Sequence, residues 1–142
     1  MTAARTHVTG RAGCMTADLP CVPESVARAR ALVSSVLAGW GLGHDLADIA
    51  ELVVSELMTN AVDHTETDRT EVVIERQADS TVRIQVSDTS SVAPHMEKAA
   101  DDAECGRGLR LVDALCVRWG YDPHARGKVA WAEIKAPAGG EQ

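Results

Sequence analysis

The sequence predicts an α/β (α+β) two-layer sandwich: one mixed, mostly antiparallel sheet covered on one face by about three helices. Three observations predict it. Two long segments near the middle of the chain repeat apolar residues at helical spacing. Two shorter segments after them alternate apolar and polar residues around a four-residue turn. That alternation leaves one face of the resulting strands polar, so helices cover only the other.

The 142 residues form one domain, large enough to bury a core. A composition of 45% hydrophobic and 25% charged residues is that of a globular protein in water, and no apolar run approaches a spanning length. No membrane association is expected. The start, Met1-Thr2-Ala3-Ala4-Arg5-Thr6-His7, lacks the apolar segment of a secretory signal, so the expected location is the cytoplasm. A net charge of −7 argues against direct nucleic-acid binding, which needs clustered Lys and Arg, and directs attention to protein partners. Cys14, Cys21, Cys105 and Cys116 form no Cys-x-x-Cys pair, and no spacing joins Cys105 to His95 or His124 as a metal site; reduced thiols are expected.

Taken in order, residues 1–16 are small and polar and read as a flexible arm ahead of a domain over 17–136. Residues 16–23 offer a short edge strand, and Pro23 stands where a first helix begins, with Glu24 in its first turn. Val26, Ala29, Val33, Val36, Leu37 and Trp40 recur at helical intervals up to the glycines at 39, 41 and 43; Arg28 and Arg30 face outward. A second helix runs over 45–63 with Asp45 as its N-cap. Its core stripe centres on Ile49 and Val53, with Leu46, Ala50, Leu57 and Ala61 beside them. Residues 71–76 and 81–86 make a hairpin around 77–80, with Val72, Ile74, Val82, Ile84 and Val86 on the inner face. Residues 89–105 show no period and exceed an ordinary connection. A third helix over 109–116 and strands over 117–122 and 128–135 complete the domain, and 137–142 is tail.

The second helix carries the chemistry. Glu56 and Asn60, with Asp63 at the edge and His64 nearby, continue its core-facing arc, and a buried carboxylate or carboxamide costs several kcal/mol unless it is bonded, paired or solvated by a pocket. Periodicity alone leaves two readings open: a lined pocket, or polar groups bonding backbone at a fraying helix end. Gly106-Arg107-Gly108 ahead of Leu109 suits an anion, because glycines admit close approach and first-turn N–H groups point outward, yet two glycines also make an ordinary turn. Asp88 ends an apolar strand, where it can accept from an exocyclic amine or start a turn.

Glu56-Leu57-Met58-Thr59-Asn60-Ala61 followed by Asp63-His64 resembles the N box of the GHKL (Bergerat) ATP-binding superfamily. Within it, Ser55 to His64 are most similar to the helix of the compact anti-sigma-factor serine kinases of actinobacteria. The resemblance recurs in Val86-Ser87-Asp88, Gly106-Arg107-Gly108-Leu109-Arg110-Leu111-Val112, Arg118-Trp119-Gly120 and Gly127-Lys128-Val129-Ala130-Trp131-Ala132-Glu133, and covers roughly residues 20 to 136. It implies ATP and Mg²⁺ as cofactors: Asn60 ligating the metal, Asp63, His64, Gly106, Arg107, Gly108 and Leu109 around the nucleotide, Asp88 reading adenine, and Glu56 as the base on the attacking hydroxyl. Residues 89–105 become a lid. The implied function is a serine/threonine kinase that binds a sigma factor and phosphorylates an anti-sigma-factor antagonist, with a homodimer among its possible assemblies; the other reading is a binding module that sequesters its partner without phosphoryl transfer. Two departures favour the second: the glycines of Asp-x-Gly-x-Gly are absent after Asp88, and Val129 stands where a threonine that helps hold the aspartate is usual.

Overall fold

A computed structural model describes residues 7–64, 68–88, 115–124 and 127–135. Six strands and two helices are present among them: β1 (His7–Arg11), β2 (Cys14–Pro20), α1 (Glu24–Gly39), α2 (His44–His64), β3 (Arg69–Arg76), β4 (Thr81–Asp88), β5 (Arg118–His124) and β6 (Gly127–Lys135). The sheet order is β1-β2-β3-β4-β6-β5, and every pairing among the described residues is antiparallel. α1 and α2 pack on each other, and α2 lies on β4 and β6. The expected two-layer sandwich is what the chain forms. Of the expected third helix only Leu115, which is helical, and Cys116 are described; the lid and the tail lie outside the described residues.

Local chemistry places most boundaries. Pro23 precedes α1 with φ −57 and ψ −33, already helical, and Gly41 leaves that helix region at φ 77, a left-handed value that costs a glycine little. α2 begins at His44, one residue before the expected cap, so Asp45 belongs to the first turn, where its charge favours the exposed N–H groups. The β3–β4 turn passes through one 3₁₀ turn, Ala78–Ser80, and closes with Gln77 N–H donating to Thr81 O at 2.7 Å.

The expected flexible arm over residues 1–16 is corrected by the first hairpin. From His7 onward the chain forms β1 and β2, joined through Ala12 and Gly13, with Gly13 at φ 75. Apolar periodicity could not reveal β1, because the edge-strand sequence His-Val-Thr-Gly-Arg holds a single large apolar residue, Val8, which is exposed; its register against β2 supplies the order.

The face beneath the helices is built from Ala17 and Leu19 of β2, Val72 and Ile74 of β3, Val82, Ile84 and Val86 of β4, and Ala132 and Ile134 of β6. The opposite face is closed by polar side chains. Glu133 accepts from Arg83 Nη1 at 2.9 Å and from Arg118 Nε and Nη2 at 3.0 and 2.8 Å. The Arg83 guanidinium lies 4.3 Å from the centroid of the Trp131 ring, a cation–π contact. Burial works to raise the Glu133 carboxyl, but the hydrogen bonds and charges of Arg118 and Arg83 outweigh it and hold the group below its ordinary value.

Candidate functional site

Topology decides which of the expected site residues can meet. α2 ends at His64 and β3 begins at Arg69, so the intervening chain spans at most about 18 Å. β3 starts beside the end of β4, with Glu71 opposite Ser87, and β6 starts there as well, with Lys128 opposite Asp88. The last turn of α2, the end of β4 and the start of β6 therefore share one end of the sheet. Asn60, Asp63, His64 and Asp88 are drawn toward that end, with Glu56 one helical turn before Asn60.

The arc of α2 that carries Glu56 and Asn60 differs from expectation. At ~100° per residue, the buried arc runs from Val53 through Ala50, Ala61 and Val54 to Met58, whereas Ile49 is only partly covered. The stripe is displaced from the Ile49–Val53 axis toward the flank where Arg30 of α1 reaches Glu51 at 3.6 Å. α1 buries that flank, a contact that the apolar period of one helix cannot announce. Glu56 and Asn60 thus lie along the opposite border of the core, both half-buried and turned away from α1. Partial burial pushes the Glu56 carboxyl above its ordinary value. Asp63 is exposed, and for His64 only the helical backbone is described.

Asp88 is the most enclosed of the site carboxylates. It continues the alternation of Val82, Ile84 and Val86, so its side chain shares the helix-covered face, where it is 4% exposed. Lys128, in phase with Ala130, Ala132 and Ile134 on β6, meets it there at 8% exposure, with Nζ 3.3 Å from both Oδ1 and Oδ2. Sequence reasoning missed Lys128 as a site residue. The signal existed: a lysine in register with the apolar positions of a strand must find a partner.

The register also corrects the part given to Val129. It pairs with Ser87 and, one residue out of phase with Lys128, belongs to the other face of the sheet. A hydroxyl there would not face Asp88, whereas Lys128 does and reaches its carboxylate. On the neighbouring strand, Thr70 Oγ1 donates to Ser87 O at 2.7 Å and fixes the backbone beside Asp88. Gly106, Arg107, Gly108 and Leu109 lie outside the described residues.

The donor chemistry suits a hard cation held jointly with a ligand. Among the described residues no three His, Cys, Asp or Glu side chains gather into a metal site of their own, and the half-buried Asn60 offers one carboxamide oxygen beside Glu56. Mg²⁺ needs few protein ligands, because phosphates and retained waters complete its octahedron. Asn60 would hold it.

Comparison with known proteins agrees with this architecture. The model of the histidine kinase-like ATPase domain matches residues 19–134. No curated protein matches the sequence significantly. Among solved structures, the histidine kinase domain of a blue-light activated histidine kinase from Erythrobacter litoralis EL346 superposes with a TM-score of 0.52 at 18% identity, covering 82% of this chain and 61% of that one. A second structure of that blue-light activated histidine kinase gives a TM-score of 0.52 at 19% identity, covering 82% of this chain and 42% of the other. The chain thus spans about three fifths and two fifths of these two structures, and at such identities the likeness is one of fold.

Proposed function

The chain belongs to the histidine kinase-like ATPase domain family, and from that premise we propose that it binds ATP with Mg²⁺ and transfers the terminal phosphoryl group to a serine or threonine of a regulatory protein. The anti-sigma-factor kinases that Ser55 to His64 resemble supply the partners of this reading: a sigma factor that the protein sequesters, and an antagonist that it phosphorylates. The observation that carries it is the pairing on α2 of Glu56, a carboxyl raised by burial, with Asn60 one turn on, at the end of the sheet where Asp88 sits.

The roles follow from what each group can do. A bound Mg²⁺ would supply charge neutralisation to the phosphates. Asn60 would offer the oxygen that holds the metal. Glu56, with its raised proton affinity, accepts the proton of the attacking hydroxyl more readily at neutral pH than an ordinary glutamate does. Asp88 accepts from the exocyclic amine of adenine. The second reading, a module that binds its partner without transfer, is supported by Asp88-Thr89-Ser90-Ser91-Val92, which lacks the glycines that would let backbone approach a nucleotide closely.

Incubation with terminally labelled ATP, Mg²⁺ and candidate antagonist proteins decides between them. Label on the antagonist with wild type, and its loss with Glu56→Gln, supports the kinase. Partner capture that is unchanged in Glu56→Gln, with no transfer by wild type, establishes the binding module.

A further inference from the structure

We infer that the face of the sheet opposite the helices is a self-complementary interface, through which two copies of this chain pair about a two-fold axis on the β4–β6 seam. The inference is independent of nucleotide binding. To the homodimer named among the possible assemblies it adds a face, an axis and the residues that meet.

The register lays the side chains of this face in rows. One row crosses four strands as Glu75, Arg83, Glu133 and Arg118, acidic and basic in turn. From its other end the same row reads with every sign reversed. A second copy turned by a half rotation about the seam between β4 and β6 therefore sets β3 against β5, and each charge against its opposite: Glu75 against Arg118, and Arg83 against Glu133. The next row fits in shape. It holds Val73, Gln85, Trp131 and Gly120. The Trp131 indole lies against Gly120, where a Cβ would come within 3.2 Å of its Cζ2. The same rotation brings Val73 of the second copy onto that indole.

One chain leaves the charged row unfinished. Glu133 is held by Arg83 and Arg118, whereas Glu75 has no ion pair among the described residues and the Arg118 side chain is 67% exposed. Facing sheets pack about 10 Å apart, a gap that an arginine and a glutamate close by reaching from opposite sides. The two-fold makes two such pairs, one at each flank of the Trp131 patch.

Charge also selects the occupant. The chain carries a net charge of −7, so two copies repel over most of their surface. These two rows hold two acidic and two basic side chains and no net charge, which makes them the place where like can approach like; a basic partner would be drawn to the acidic remainder. Beyond them, Glu71 and Asp122 are exposed in a third row and would meet like with like, which places the rim of the interface where twisted sheets diverge. Tryptophan and arginine, at the centre of the patch, are the side chains on which interface affinity most often depends.

The test is sedimentation equilibrium of the full chain, each variant being shown to be folded by circular dichroism. Wild type is expected to dimerise at tens of micromolar, with a dissociation constant that rises with salt. Glu75→Arg and Arg118→Glu each set like charges face to face and should raise that constant about tenfold or more. Mixed in equal amounts, the two variants should pair with each other at close to wild-type affinity, because one supplies both acidic ends of the row and the other both basic ends. Damage to either fold would not be repaired by mixing. Should Arg118→Glu not fold beside Glu133, Arg118→Gln and Glu75→Arg are read singly, and both should weaken the dimer. A wild type that stays monomeric, a dimer indifferent to both single variants, or a mixture that fails to recover the dimer overturns the inference.

Discussion

Asp88→Asn changes one atom type in the most enclosed site carboxylate, and its effect on stability can be worked from the ion pair. Lys128 is 8% exposed and loses its counter-charge, the situation in which breaking a buried pair costs about 3–5 kcal/mol. The amide oxygen of the replacement still accepts from Nζ, which offsets about 1 kcal/mol. The expected loss is about 2–4 kcal/mol, or roughly 6–16 °C in Tm for a chain of this size. Urea denaturation of wild type, Asp88→Asn, Lys128→Met and the double variant measures it. The double variant removes both charges of this pair and should lie within about 1 kcal/mol of wild type, so the two single losses are strongly non-additive. Additive losses, or an Asp88→Asn variant within about 0.5 kcal/mol of wild type, would refute the claim that the two charges depend on each other.

Three further outcomes follow from the same structure. Because burial raises the Glu56 carboxyl, the folded state holds its proton more tightly than the unfolded chain, so this group costs stability as pH rises above about 4.5; Glu56→Gln should raise the Tm at pH 7.5 by an amount that vanishes toward pH 4, while phosphoryl transfer falls by about 10²-fold or more. A Tm gain that persists at pH 4 would show that the carboxylate charge is not its source. Asn60→Ala, half-buried at the border of the core, should fold with a loss of less than about 1 kcal/mol yet lose Mg²⁺-dependent ATP binding, read by calorimetry with and without chelator. Ile84→Ala removes a fully buried side chain from the central strand β4 and should cost about 2–5 kcal/mol in urea without altering nucleotide preference in the folded protein.

Much of this fold is legible because its elements differ sharply in period. The β3–β4 hairpin announces itself through the alternation of Val72 and Ile74 with Val82, Ile84 and Val86, and the structure pairs them as that alternation requires. α1 is equally legible, since Ala29, Val33, Val36 and Leu37 lie on one stripe between Pro23 and the glycines. What the sequence hides is contact between elements. The displaced stripe of α2 depends on α1, whose position is recorded by Arg30 and Glu51 rather than by any period. β1 is ordered by its neighbour and carries no apolar signature of its own. The site follows the same division: Glu56, Asn60 and Asp88 stand out as polar groups in apolar company, whereas the tie between Lys128 and Asp88 exists only once β4 and β6 are in register. The part given to Val129 went wrong by one residue, and in a strand one residue is the difference between two faces.

The sheet order has a consequence for the sequence of events in folding. Three of its five seams, β1–β2, β3–β4 and β5–β6, are hairpins that zip locally within microseconds. The other two are long closures: β2–β3 encloses both helices, and β4–β6 brackets residues 89–126. Loop-closure entropy delays such seams, so topology makes them the late steps. Asp88 and Lys128 straddle the β4–β6 seam. Each hairpin can form without bringing them together, and the pair exists only in a chain that has closed that seam. Refolding with a fluorescent ATP analogue present should therefore show ligand signal only in the slowest folding phase; signal arriving with the hairpins would mean that the pair forms before the sheet is closed.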